Sequence, residues 1–142
     1  MPDRPSKRYL DGVAQGRWTQ DAGQLAALVE MDRVALALLE RQRAGFLKKL
    51  GFRLAGHTGV RGLYLWGGVG RGKTMLCDLL LEATAELKPT RLHYHRFMHD
   101  VHARMKALAD TSDTLSVVAA QYAALSPLLV LSEFFVNDIA AP

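Results

Sequence analysis

A glycine-rich stretch at residues 67–74 is the feature that most constrains the fold of this chain. It reads Gly-Gly-Val-Gly-Arg-Gly-Lys-Thr, which is a glycine, four free positions and then Gly-Lys-Thr. Glycines let the backbone curl so that successive amide N–H groups face an anion, and a helix that begins there points its positive end at the same place. The pattern therefore predicts a Walker A phosphate-binding loop.

Each position of this loop has a predicted role in binding a purine nucleoside triphosphate, ATP in particular. Lys73 is predicted to bridge the terminal phosphates, and the Thr74 hydroxyl is a predicted ligand of Mg²⁺. The other predicted nucleotide-binding residues are Gly67, Gly68, Val69, Gly70, Arg71 and Gly72. The alternative is a glycine-rich turn that precedes Lys-Thr by chance, and the strand and helix predicted on either side of the loop argue against it.

The hydrophobic pattern around the loop predicts an α/β fold. The apolar run at residues 63–66 predicts a buried strand, and helical spacing resumes after the loop and continues until Pro89. Further strands are predicted at residues 91–97 and 127–131, and further helices at residues 98–109 and 113–125. Strands that alternate with helices are typical of a parallel sheet with helices on both faces.

The N-terminal part, residues 1–55, is predicted to be a separate segment with a long amphipathic helix. Its first twenty residues show no sustained period and are predicted to wrap loosely or to be mobile. Asp21 can cap a helix, and Gln24 completes the spacing of a capping box. The helix is predicted to run to about Leu50, with Gly45 as a break in the alternative interpretation. Its apolar positions at helical spacing are Leu25, Leu28, Val29, Leu36 and Leu39.

A second candidate cluster follows the apolar run at residues 128–131. Many P-loop ATPases end this strand with an aspartate that holds the metal, followed by a glutamate that polarises the attacking water. Here Ser132 occupies the predicted metal position, and Glu133 is predicted to be catalytic together with Lys73. A hydroxyl is a much weaker ligand of Mg²⁺ than a carboxylate, so Ser132 predicts weakened metal binding and turnover. In the alternative, Glu133 is an ordinary charge at a strand end.

Four histidines invite a metal-binding interpretation. His93 and His95 alternate on a predicted strand, and His99 and His102 are three residues apart on the predicted helix that follows. No cysteine or carboxylate cluster completes a tetrahedral set in the sequence. Packing and hydrogen bonding at the sheet edge is therefore the favoured role of these side chains.

Charge and composition narrow the cellular context. The net charge is +4, and its basic excess lies within residues 1–61. Such a surface can contact nucleic acid, acidic lipid or an acidic partner, but a solvated face is the favoured interpretation, and nucleic-acid binding is not expected. The single cysteine, Cys77, is predicted to be a small core residue in a reducing compartment. No apolar run reaches the length of a membrane span, so a cytoplasmic location is predicted.

The motifs together resemble a known family. The chain resembles the bacterial ZapE cell-division ATPases and their mitochondrial AFG-one-like relatives from about Tyr9 onward. The Walker A loop alone is generic, but its combination with a His-aromatic-His-Arg-Phe-Met stretch is specific. The residues that carry the resemblance lie at 60–74, 93–98 and 133–139.

The resemblance implies an AAA-type P-loop ATPase that acts on the tubulin-like protein of the division ring, at the division site, as a homo-oligomer. It also implies a fourth strand, an arginine finger and a lid after Pro142, so the predicted domain at residues 56–142 is C-terminally incomplete and reaches from the Walker A to the Walker B region. The alternative from another functional class is a nucleotide-binding or partner-binding module without turnover. A small-molecule phosphotransferase is a third, because kinases also use P-loops.

Overall fold

Residues 3–51, 59–68, 70–110 and 112–133 are described by a computed structural model of the chain. The chain divides into two compact units, Met1–Leu87 and Lys88–Pro142. The predicted domain boundary between residues 55 and 56 lies outside the described residues. The two predicted domains therefore stay a prediction.

The regular secondary structure in the described part of the first unit is helical. Helix α1 spans Pro5–Ala14, α2 spans Ala22–Lys49, and α3 spans Lys73–Ala83, followed by a short 3-10 helix at Ala85–Leu87. The three α-helices pack against one another. Cys77, a predicted core residue, is only half-buried. The buried side chains of α2 and α3 recur every three or four residues and form the core of the unit: Leu28, Met31, Val34, Ala35, Leu38, Leu39, Leu76, Leu79, Leu80 and Ala83.

Helix α1 corrects the prediction that the first twenty residues are loose. Pro5 stands at the start of the helix, where its fixed φ angle is already helical and its missing N–H costs nothing. The Asp32 carboxylate of α2 accepts hydrogen bonds from the Ser6 backbone N–H, at 3.0 Å, and from the Ser6 hydroxyl. The first turn of α1 is thus capped by another helix, a contact that local periodicity does not reveal.

Tyr9 anchors α1 in the core. Its side chain is fully buried, and its ring stacks on Trp18 at a centroid distance of 6.1 Å. The Trp18 indole N–H donates to the Tyr9 carbonyl at 3.0 Å. A Cβ atom at Gly12 would lie 2.0 Å from the Trp18 ring, so only glycine admits this packing.

The long helix α2 confirms the predicted cap at Asp21. The Asp21 carboxylate accepts from the Gln24 backbone N–H at 2.9 Å, and the helix continues without interruption through Gly45. The reciprocal half of the capping box is wrong, because the Asp21 N–H donates to the Tyr9 hydroxyl at 3.0 Å instead of to Gln24. Val29, predicted on the apolar face, is 68% exposed, since the buried stripe runs one position to its N-terminal side through Leu28.

The strand predicted at residues 63–66 is wrong. Residues 59–68 form no strand, and Tyr64 and Trp66 are 63% and 84% exposed. A buried strand needs neighbouring strands to pair its N–H and C=O groups. Among the described residues, the β-ladder joins two other segments only. A short apolar run does not by itself distinguish a strand from other structure.

The second unit contains a two-stranded parallel sheet. Strand β1 spans Thr90–His93 and strand β2 spans Leu129–Ser132, in a register that pairs His93 with Ser132. Helices α4 (Tyr94–Ala107) and α5 (Thr114–Leu125) form the crossover connection between them. The parallel arrangement confirms part of the predicted α/β fold. It also brings the carboxyl ends of both strands to the same edge of the sheet.

Strand β1 is shorter than predicted. The prediction of a strand at residues 91–97 is wrong after His93, because α4 begins at Tyr94 and places His95, Arg96 and Phe97 on a helix. Phe97 packs against Tyr122 of α5 at a centroid distance of 5.1 Å. This contact between the two helices favours the helical conformation over continuation of the strand.

Polar contacts also join α4 to α5. The Tyr122 hydroxyl and the Arg104 guanidinium both donate to the Asp100 carboxylate. These hydrogen bonds, that of Tyr122 first, hold the pKa of Asp100 below its ordinary value. Because the folded state lowers this pKa, the contribution of Asp100 to stability is present at neutral pH and is lost as the pH falls through the folded pKa.

No helix in the part of the chain that the structure describes is both long enough and apolar enough to cross a bilayer.

Candidate phosphate-binding site

The backbone of the glycine-rich loop uses conformations that favour glycine. Gly67, Gly70 and Gly72 have φ angles of 151°, 80° and 79°. Residues other than glycine rarely adopt a positive φ angle. The turn that leads into α3 therefore depends on glycine at these positions. Val69, one of the four free positions of the motif, lies outside the described residues.

Lys73 closes the loop on itself. Its ammonium Nζ donates to the carbonyl oxygens of Gly67 and Gly68, both at 2.7 Å. These acceptors are neutral, and an ammonium binds an anionic phosphate oxygen more strongly than a neutral carbonyl. A phosphate oxygen can therefore replace them, with the ammonium already in place at the mouth of the loop.

The start of α3 suits an anion. Gly72 occupies the N-cap position and has no side chain to cap the helix, and the first turn contains no acidic residue. The first N–H groups of a helix have no partner within the helix and carry partial positive charge. Together with Lys73 and the exposed Arg71, they form a donor set that fits a phosphate group. The Thr74 side chain is exposed in the same turn.

Gln24 of α2 contacts this loop from outside its sequence. Its side-chain N–H donates to the Arg71 carbonyl at 3.1 Å, and its side-chain carbonyl accepts from the Tyr9 hydroxyl at 2.7 Å. The sequence contains no signal for this contact, because Gln24 and Arg71 are 47 residues apart. The sequence pattern predicted Gln24 as part of a capping box and gave no indication of its contact with the loop.

The second predicted cluster lies at the carboxyl edge of the β1–β2 sheet, in the second unit. The Ser132 hydroxyl is 3.3 Å from Nδ1 of His93 and 3.5 Å from the Leu92 carbonyl. A Glu133 carboxylate oxygen lies 3.6 Å from the same His93 nitrogen. Glu133 has a φ angle of 56°, a conformation that non-glycine residues seldom adopt and that is enriched at functional sites.

Of the four histidines only His95 is placed differently from the prediction, on a helix instead of a strand. His93 ends β1 and contacts Ser132, whereas His95, His99 and His102 belong to α4. All four side chains are exposed. Within the described ranges, no group of three or more His, Cys, Asp or Glu side chains is arranged to hold one metal ion.

The structure thus brings together Lys73 with the loop glycines in the first unit, and Ser132 with Glu133 in the second. It adds Gln24 to the first group and His93 to the second. The pairing of His93 with Ser132 was missed, because the strand predicted at residues 91–97 places His93 in its interior and not at its end. The nucleotide, catalytic and metal roles of the predicted residues stay predictions.

Comparison with known proteins gives the chain a family. The AFG1-like ATPase family matches residues 4–142. The cell division protein ZapE of Escherichia coli (strain K12) is 36% identical over 146 residues, which cover 95% of this chain and 39% of ZapE. Lactation elevated protein 1 homolog B of Danio rerio is 35% identical over 91 residues, which cover 56% of this chain and 18% of that protein.

The chain therefore corresponds to about two fifths of the length of ZapE. No solved structure matches it. The family match extends over nearly all of the chain and includes the phosphate loop, the β1–β2 sheet edge and their candidate site residues. The chain belongs to the AFG1-like ATPase family.

Proposed function

We propose that this chain carries the phosphate-binding part of an ATP-hydrolysing AAA-type P-loop ATPase. The observation that carries the proposal is the Lys73 ammonium, held 2.7 Å from the carbonyl oxygens of Gly67 and Gly68 where α3 begins. Membership of an ATPase family supports the same activity. The parallel β1–β2 pair is compatible with two strands of an AAA-type sheet.

Each site residue has a proposed role that follows from its chemistry. Lys73 and the loop N–H groups from Gly67 to Thr74 bind the phosphates, and the Thr74 hydroxyl is a ligand of Mg²⁺. When bound there, Mg²⁺ would supply positive charge that stabilises negative charge on the phosphates. Glu133 orients and polarises the attacking water, and Ser132 occupies the second metal position. A Glu133 carboxylate oxygen lies 3.6 Å from Nδ1 of His93, at the carboxyl ends of β1 and β2.

The cellular role follows the relatives. ZapE is a cell division protein by name, and we assign this chain to the same process. We place it in the cytoplasm at the division site, as a homo-oligomer that uses ATP to remodel a tubulin-like ring protein. Nucleotide is its small-molecule partner.

Calorimetric titration of the full 142-residue chain with ATP and saturating Mg²⁺ tests the proposal. We expect a saturable heat, because the loop offers an ammonium and a helix N-terminus to the triphosphate. AMP, which lacks the β- and γ-phosphates that Lys73 is proposed to bridge, is the control and is expected to bind far more weakly. Absence of heat with Mg-ATP would rule out the proposed site.

A second candidate function is nucleotide binding without turnover. It is favoured by Ser132, a neutral hydroxyl whose contacts within the second unit include a backbone carbonyl and His93. Phosphate release separates the two functions. Release that requires Lys73 supports the ATPase, and binding of Mg-ATP with release at background supports the module without turnover.

Ser132→Asp is expected to lower the Mg²⁺ concentration required for half-maximal ATP binding by about tenfold, since an added carboxylate charge strengthens coordination of a divalent cation. The measurement is ATP binding at fixed nucleotide and varied Mg²⁺. Ser132→Asn is the matched control, because it has a similar size without the charge. Equal Mg²⁺ dependence in the two variants would remove Ser132 from the metal position.

A further inference from the structure

We infer that Gln24 is a positioning residue for the phosphate-binding loop: its side-chain amide holds the Arg71 carbonyl and thereby orients the peptide that enters α3. This inference rests on the proposed function of the loop. It concerns a residue of α2 that lies outside the Walker A pattern and on a different helix.

Both ends of the Gln24 amide are used, which defines its orientation. The Arg71 carbonyl can only accept a hydrogen bond, so the amide nitrogen must face it, at 3.1 Å. The Tyr9 hydroxyl receives the Asp21 N–H at 3.0 Å and donates its own proton to the Gln24 carbonyl at 2.7 Å. Because Tyr9 is fully buried, the amide is anchored to the core of the first unit.

The contact orients the loop through the geometry of the peptide bond between Arg71 and Gly72. A trans peptide is planar, and its C=O and N–H groups point in opposite directions. Holding the Arg71 carbonyl on Gln24 therefore directs the Gly72 N–H away from Gln24. Gly72 is the N-cap of α3, and its own carbonyl accepts the Leu76 N–H at 2.9 Å. Gln24 thus sets the orientation of one of the amide groups proposed to bind phosphate.

Glycine at position 72 is needed for this contact. An added Cβ would lie 2.5 Å from the Gln24 side-chain nitrogen, and the φ angle of 79° disfavours any other residue. The close approach of α2 and the left-handed backbone occur at the same residue. The backbone of the Gly-Lys-Thr part of the loop is therefore constrained by its contact with α2 as well as by its proposed ligand.

The chemistry of the contact provides a nearly isosteric test. In Gln24→Glu the carboxylate can still accept from Tyr9, but it cannot donate to the Arg71 carbonyl, and two oxygens then face each other. Glutamate at this position also suits the first turn of a helix capped by Asp21, so the variant is expected to fold. Gln42→Glu is the matched control, because Gln42 is exposed on the same helix.

Two measurements on the full chain test the inference. In the ligand-free protein, Gln24→Glu is expected to shift the Gly72 amide resonance in a ¹H–¹⁵N spectrum, and Gln42→Glu is expected to leave it in place. In calorimetry, Gln24→Glu is expected to weaken the binding of Mg-ATP and of inorganic tripolyphosphate by the same factor, roughly tenfold. This is the effect expected when one hydrogen bond is lost and its groups are left unpaired. The temperature of unfolding should stay near that of the natural chain.

The outcomes separate this inference from the proposed function. An unshifted Gly72 resonance, or affinities equal to those of the natural chain, overturns the role of Gln24 alone. A loss confined to ATP, with tripolyphosphate unaffected, also overturns it, because that result would place Gln24 at the base. If the natural chain gives no heat with Mg-ATP, the proposed function fails, and the role of Gln24 fails with it. Gln24→Ala, which removes both contacts, should reproduce the weakened binding if Gln24→Glu does not fold.

Discussion

Lys73→Ala is expected to weaken Mg-ATP binding by about 10- to 100-fold, the largest effect on ligand binding that we expect from one side chain. Hydrogen bonds between charged groups contribute about 1.5–3 kcal/mol each, and about 1.4 kcal/mol corresponds to a tenfold change in affinity. In the ligand-free chain the Lys73 ammonium contacts only neutral carbonyls of Gly67 and Gly68 among its described partners. Its removal should therefore have little effect on folding stability.

Calorimetry with Mg-ATP measures this loss, and thermal unfolding followed by circular dichroism checks the fold. Lys49→Ala is the control for net charge, because it removes the same positive charge from the exposed end of α2. Equal affinities of the Lys73 and Lys49 variants would show that general electrostatic attraction, and not the loop, binds the nucleotide.

Tyr9→Ala is expected to lower the free energy of unfolding by about 3–5 kcal/mol, the usual cost of replacing a buried aromatic residue by alanine. Tyr9 is fully buried, stacks on Trp18, and supplies the hydroxyl shared by Asp21 and Gln24. Small domains are stable by only about 5–15 kcal/mol. The loss should therefore remove a large part of the stability of the first unit.

Urea unfolding followed by tryptophan fluorescence measures this change, because Trp18 lies against Tyr9. Tyr9→Phe retains the ring and removes only the hydroxyl, and it is expected to cost about 1–3 kcal/mol, the penalty for unpaired buried groups. A loss below about 1 kcal/mol for Tyr9→Ala would contradict the packing of α1 onto α2 described above.

Local signals predicted the helices well. Asp21 was identified as a cap, and α2 begins at the next residue. The helix predicted at residues 113–125 is α5, which begins at Thr114 after Asp113, whose carboxylate accepts from the Ser116 N–H at 3.3 Å. These predictions are confirmed because a cap and the helix that it begins are only a few residues apart, so their interaction can be inferred from a short stretch of sequence.

Strands and loose segments were predicted less well. The apolar run at residues 63–66 forms no strand, and α4 begins three residues before the predicted end of β1. Whether an apolar run becomes a strand depends on the partners that complete its hydrogen bonds. Those partners come from distant parts of a chain, so a short window of sequence does not contain the information.

For the candidate site as well, the sequence predicted the residues of local motifs but not the contacts between distant residues. The Gly-Lys-Thr ending identified Lys73 and Thr74, and the end of the last strand identified Ser132 and Glu133. Neither pattern indicated that Gln24 contacts the loop or that His93 contacts Ser132. Both contacts join residues that are far apart in the sequence.

The sequence by itself therefore determined the phosphate-loop motif, the cap of α2, the position of α5, and membership of an ATPase family, because each depends on residues at short, defined spacings. The tertiary structure decided that α1 forms, that Gln24 holds the Arg71 carbonyl, and that Tyr9 joins these features in one core. These depend on hydrogen bonds and packing between elements that only folding brings together. Local periodicity cannot report such contacts, since their free energy arises between helices and not within them.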